Sequence, residues 1–305
     1  MTDVVSIVES SENIESMLRY GLDLIGDFVL DGLPIIIKPN LCTETDKLKS
    51  GNTDIETVKS VLNILLKKDQ DAKIQIVESD SAGKWLDRAF QINGYIDMLE
   101  EYRENGYNIE LINLSKETDV TSIYQSESIP DIRIPKLLLE PNFFISIARA
   151  KTHSFTDITG ILKNQFGCVS RKDKGVYHKF IDKTILEINR NIKPDLCIVN
   201  ATTGTEGVIG KTRPIGVLLF GYMPVSVDSV MAKVMGFTPD RINHIALASS
   251  YGLGSMHPKI IGLPMDKISV KFPKPNKIVK IVNLKIPDGL RPIARRIYEN
   301  LHNCS

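Results

Sequence analysis

Between Ala150 and Gly167 the chain concentrates side chains that move protons and hold anions: Lys151, Thr152, His153, Thr156, Thr159, Lys163 and Asn164, with Gly160 and Gly167 among them. An imidazole titrates near neutral pH and passes protons in either direction. A lysine crowded by other cations gives up its proton more readily and becomes nucleophilic. The two glycines would let a ligand approach the backbone closely. These types and spacings point to His153 as general acid/base and Lys163 as a second catalytic group. Lys151 would hold a negative charge, and Thr156 and Asn164 would orient the substrate. His178, just ahead of a helix, reads alone as a surface or capping residue. Beside this stretch it becomes a third catalytic group or a metal ligand.

Four further clusters follow or enter apolar segments. Lys38-Pro39-Asn40, with Gly51-Asn52-Thr53 at a helix start, would attract a phosphate or carboxylate; the plain alternative is a solvated lysine and a cap. Glu78 to Gly83 would suit a ribose, a metal or a hydroxylated substrate, or is a turn capped by Ser81. Thr205-Glu206-Gly207 would close a pocket with the Glu206 carboxylate against a lysine or histidine, or is a polar loop. Asp228 sits in an otherwise apolar helix and needs a partner, either backbone N–H groups or a site lysine.

The elements that must position these groups are legible in the apolar pattern. Leu33–Lys38, Lys73–Glu78, Asn108–Asn113, Asn142–Ala148, Leu196–Asn200, Ile215–Phe220 and Lys267–Phe272 read as strands. Asp54–Lys68, Ala82–Glu104 (interrupted near Asn93-Gly94), Ile181–Asn191, Val225–Met235 and Thr238–Ser249 read as helices. Ser128–Pro135, with two prolines, reads as an edge strand or hairpin arm. This alternation predicts an α/β fold: three layers, a mostly parallel sheet with helices on both faces, and two lobes with a cleft between them. The expected divisions are an α/β domain over 1–272, with lobes 1–141 and 142–272, and a basic C-terminal segment over 273–305.

The 305 residues are 42% hydrophobic and 25% charged, with a net charge of +1. A core of ordinary size follows, and no overall basic bias toward nucleic acid or an anionic membrane. Cys42, Cys168, Cys197 and Cys304 are far apart, so no zinc ribbon or iron–sulfur cluster is expected from this chain. Phosphate-loop, nucleophile-elbow and dinucleotide fingerprints are absent from the sequence. The N-terminus lacks a basic and apolar leader, and no apolar run reaches spanning length. A cytoplasmic protein is expected.

Taken together, Lys38-Pro39-Asn40, the block from Lys151-Thr152-His153 to Lys163-Asn164-Gln165-Phe166-Gly167, His178, Glu206-Gly207, and Val225-Ser226-Val227-Asp228 with Gly236 resemble the domain of unknown function 362 family. The resemblance runs from about Ile35 to Gly254. Many relatives carry an added ferredoxin-like cluster domain, which implies a redox protein partner. A more distant resemblance is to the lactate racemase family, whose histidine, lysine ten residues on, and later histidine correspond to His153, Lys163 and His178. It implies proton transfer at His153, a lysine-linked nickel-pincer cofactor at Lys163 and nickel binding at His178. The paired glycines and proline of that family's motif are missing here. The expectation is an isomerase- or redox-type enzyme acting on a small anionic metabolite. Lys38, Asn40, Lys151, Thr156, Asn164 and Glu206 would bind it, and a metal ion or lysine-linked cofactor would assist. The rival expectation is a non-catalytic cofactor-binding, electron-transfer or assembly module.

Overall fold

The structure is a computed structural model that describes residues 3–44, 51–81, 84–207, 210–268 and 270–275. Its strands are β1 (Val4–Glu9), β2 (Ile35–Pro39), β3 (Ile74–Glu78), β4 (Ile109–Asn113), β5 (Val120–Tyr124), β6 (Ile132–Pro135), β7 (Phe143–His153), β8 (Asp157–Thr159), β9 (Leu196–Thr205), β10 (Thr212–Gly221) and β11 (Lys259–Gly262). Its helices are α1 (Ile14–Ile25), α2 (Ile55–Lys68), α3 (Leu86–Ile92), α4 (Tyr95–Glu104), α5 (Ile161–Asn164), α6 (Ile181–Asn191), α7 (Pro224–Val234) and α8 (Asn243–Ser250).

The run of β-branched residues in β2 is buried at every position, as a strand covered on both faces must be. Alternation sends Ile35 and Ile37 to one face and Ile36 to the other. The first face packs against Met17 and Leu18 of α1, Val58 and Leu62 of α2, and Phe90 and Tyr95 of α3 and α4. The second packs against Ile161, Ile185, Val230 and Ile245 from α5 to α8. Helices of the first half of the chain therefore cover one face, and those of the second half the other. This gives the three layers expected.

The main sheet runs β11-β1-β10-β9-β7-β2-β3-β4, with β8 folded back on β7. From β9 to β4 every neighbouring pair is parallel, while β10 is antiparallel to both β9 and β1. The chain builds outward from β2 through β3 to β4, then returns to place β7 and β9 on the other side of β2. The order reverses between β2 and β7, the place where an open parallel sheet leaves a crevice beyond its strand ends.

One nine-stranded sheet joins both halves of the described chain, and β5 and β6 form a separate antiparallel pair. Pairing of β2 with β7, and of β1 with both β10 and β11, stitches residues 1–141 to 142–272 inside that sheet. The strand expected at Lys267–Phe272 is replaced by a turn at Met265–Lys267. The N–H groups of Val270 and Phe272 then satisfy the Val234 and Met235 carbonyls at the end of α7. Residues 259–262 supply the edge strand instead. The helix expected from Thr238 breaks at Ile242, where a short 3-10 turn gives way to α8. Strands β7, β9 and β10 all extend beyond their expected limits. Of the basic segment 273–305, all but 273–275 lies outside the described residues.

The contact between α1 and β10 is tight enough to test. Gly21 lies against the Phe220 ring, and an added Cβ would overlap it. Gly21→Ala is expected to lose about 1–3 kcal/mol in urea denaturation, because overpacking outweighs the gain in helix propensity.

Candidate functional site

The carboxyl ends of β2, β3 and β7 meet at the reversal point and carry most of the buried charge. Glu78, the last residue of β3, forms an ion pair with Lys38 Nζ of β2 at 2.8 Å and accepts a hydrogen bond from Lys84 Nζ on its other oxygen. Burial alone would push the Glu78 carboxyl up, but the two lysines outweigh it and hold it below the usual carboxylate value. Lys84 also donates to the Leu41 carbonyl at 2.7 Å. Lys174 enters from the second half of the chain and donates to Ser79 Oγ at 2.9 Å and the Asp80 carbonyl at 2.6 Å. Burial, with the Lys84 and Lys38 charges beside it and Glu78 opposing, brings the Lys174 amine down to about 8. A Cβ on Gly167 would overlap the Glu78 carboxylate. That glycine is required by this buried pair.

His153 ends β7, and a tight hairpin leads into β8 through Asp157 at φ 62°. The Phe155 ring lies near both histidines, its centroid 6.0 Å from that of His153 and 4.4 Å from that of His178. The Phe155 N–H donates to His153 Nδ1 at 3.2 Å, so the neutral ring carries its proton on Nε2. Burial, then the positive charges of Lys163, His178, Lys151 and His244, push the His153 pKa well below 6.5. Burial and the Lys151 charge bring the half-buried Lys163 amine down to about 8, with Cys42 opposing. Among the described residues, Lys163 Nζ makes no hydrogen bond or ion pair and faces the Phe166 ring at 5.7 Å.

Asp228 of α7 holds α5, and with it Lys163, by accepting the Ile161 and Leu162 N–H groups at 2.6 and 2.9 Å. Burial raises its carboxyl to about 7 despite those bonds. Its partners are the backbone groups, and Gly160 is required because a Cβ there would overlap the carboxylate.

His153 thus lies within electrostatic reach of Lys163, His178 and Lys151. Lys151 is 2% exposed, donates to the Gly51 carbonyl at 2.9 Å and lies 3.3 Å from Cys42 Sγ. The other residues expected to bind substrate are engaged within the protein. Lys38 is neutralised by Glu78. Asn40 ties its loop to Gly51 and Thr53. Thr156 donates to the Ile158 carbonyl. Asn164 uses its amide on Lys38 Nζ, the Lys38 carbonyl and Ser146 Oγ. Glu206 pairs with Arg213 rather than with a site lysine or histidine.

The sequence reading passed over His244. It is fully buried in α8, both its ring nitrogens lack a partner, and it lies within reach of Lys163 and His153. A lone polar residue among Ile245, Ala246, Leu247 and Ala248 is the same signal that marked Asp228. Beside the hairpin, a cavity of about 50 Å³ is lined by Ser154, Thr156, Asp157, Asp182, Arg241 and Asn243. No group of three or more His, Cys, Asp or Glu side chains able to hold a metal ion is found among the described residues. No helix among them is long and apolar enough to cross a membrane.

The family described as "Domain of unknown function (DUF362)" matches residues 35–233, more than half of the chain. Thylakoid-associated protein sll1697 of Synechocystis sp. is 24% identical over 279 residues, covering 88% of this chain and 81% of that protein. The lactate racemase apoprotein from Thermoanaerobacterium thermosaccharolyticum superposes with a TM-score of 0.40 at 15% identity, over 66% of this chain and half of that one.

Two substitutions test the buried charges. Glu78→Gln leaves Lys38 and Lys84 without a counter-charge and is expected to cost about 3–5 kcal/mol in chemical denaturation. His244 has a folded pKa of about 3 against 6.5 for the free side chain, so the folded state binds fewer protons. Its contribution is fully present above pH 6.5 and is lost as pH falls toward 3, at about 1.4 kcal/mol per unit. His244→Asn should flatten stability measured across that window.

Proposed function

The chain belongs to the domain of unknown function 362 family, and from that premise we propose that it is an enzyme acting on a small anionic metabolite at the carboxyl ends of β2 and β7. One observation carries this reading: the Lys163 amine, half-buried and without a hydrogen bond or ion pair among the described residues, near His153, His244 and a second lysine. Unspent cations in a partly dry crevice attract and orient an anion. Lys163 and Lys151 hold the substrate's charge. His153 presents Nε2–H toward it, a neutral donor suited to a developing oxyanion, as a neutral imidazole can be in such a site. When His153 takes up a second proton, Nδ1 can no longer accept the Phe155 N–H, so the proton and the hairpin move together. His178, near the Phe155 ring, is the second acid/base group.

Lys163 also fits covalent attachment of a cofactor, since its amine is close to half-neutral near pH 8 and commits no bond elsewhere. Such a group would supply an electron sink or a metal. A metal held at His178 would take its remaining ligands from that group or the substrate, because the described residues do not enclose an ion by themselves.

The test is turnover of a metabolite library by the full chain, followed by mass spectrometry. His153→Gln is expected to lower kcat about 10²–10⁴-fold with the fold retained. Substrate affinity should weaken above about pH 8, as Lys163 loses its charge, and Lys163→Met should abolish that pH dependence. Full turnover in His153→Gln would sink the assignment.

A further inference from the structure

Positive and negative charges at the carboxyl ends of β2, β3 and β7 do not balance. Lys38 and Lys84 share a single carboxylate, Glu78. Lys174 donates to a hydroxyl and a backbone carbonyl, while the Asp80 carboxylate beside it accepts the Leu86 N–H and the Asn113 amide. Lys151 donates to a carbonyl and lies against a thiol. Lys163 bonds nothing among the described residues, and the charged lysines acting on it are Lys151 and Lys38. Lys38, Lys84, Lys151 and Lys174 are each more than nine-tenths buried. Among the described residues, two lysines, Lys151 and Lys163, therefore carry no carboxylate of their own, while Lys174 has the Asp80 charge beside it.

A buried ammonium without a counter-charge is costly, and a cluster of them compounds the cost. A monoanion would compensate only one of the two. A second feature points the same way. His244, wholly buried beside Lys163, leaves both ring nitrogens without a partner, although buried polar groups are nearly always bonded. A neutral imidazole there offers one N–H to a ligand that reaches past Lys163.

We propose that the ligand of this site is a small molecule bearing two or more negative charges within a few ångströms, a phosphate ester or polycarboxylate, held by Lys151 and Lys163 with His244 as the innermost donor. This rests on the reading above of an anion site and narrows it, since that reading is equally served by a monocarboxylate.

The experiment is isothermal titration of the full chain with pyrophosphate, citrate and acetate. It is paired with acetic anhydride labelling of the wild-type protein, read at Lys163 by mass spectrometry. Pyrophosphate or citrate should bind at least tenfold more tightly than acetate and should protect Lys163 from labelling. Whichever of the two is preferred assigns phosphate or carboxylate chemistry. Lys163→Met should weaken the tighter anion about tenfold and Lys163→Arg should retain it, while the labelling arm needs no variant to fold. Acetate binding as tightly as both, with equal protection, would overturn the multivalent ligand and leave the anion site standing. Protection of Lys163 by none of the three would overturn both.

Discussion

A single carboxylate, that of Glu78, lies buried between the ammonium groups of Lys38 and Lys84 where three parallel strands end. Removing three charges from water costs more than a hydrophobic cluster of the same volume would. Such a group is better understood as fixing positions than as adding stability. It joins β2 to β3 and to the segment leading into α3. Through Asn164, which binds both Lys38 Nζ and the Lys38 carbonyl, it also fixes the end of α5. Lys163 precedes Asn164 directly, so its place beyond the sheet is set by this buried pair.

A second buried carboxylate does the complementary task. Asp228 receives the first N–H groups of α5 while the Asn164–Lys38 contacts hold its last turn. The four-residue helix is clamped at both ends by side chains far from it in the chain. Gly160 and Gly167 bracket the helix because each faces one of these carboxylates. Their spacing, which suggested close approach of a ligand, records close approach of the protein to itself.

The electrostatic result is a cluster in which cations crowd cations. Burial and mutual repulsion bring Lys163 and Lys174 to about 8 and keep His153 and His244 neutral. At neutral pH the site therefore offers charged lysines that release protons easily, beside imidazoles that donate without being charged. The Phe155 ring lies near both His153 and His178.

Local pattern was enough for most of the elements from β2 onward, while β1 and α1 were not among those expected. Runs of β-branched residues gave the central strands, and 3.6-residue periodicity gave most of the helices, because these depend on neighbours a few residues away. The density of His153, Lys151 and Lys163 after a core strand is likewise a feature of the sequence alone. Edge features escaped the pattern: the strand at 259–262 and the helix break at Ile242 follow from which backbone groups find partners after the sheet has assembled. Tertiary structure alone decided which polar side chains were spent. Lys38 and Asn164 are 126 residues apart and Lys151 and Cys42 109 apart, yet each pair is in contact. Residue type shows that a lysine can hold an anion. Only the pairing of distant strands shows whether a carboxylate of the protein already holds the lysine.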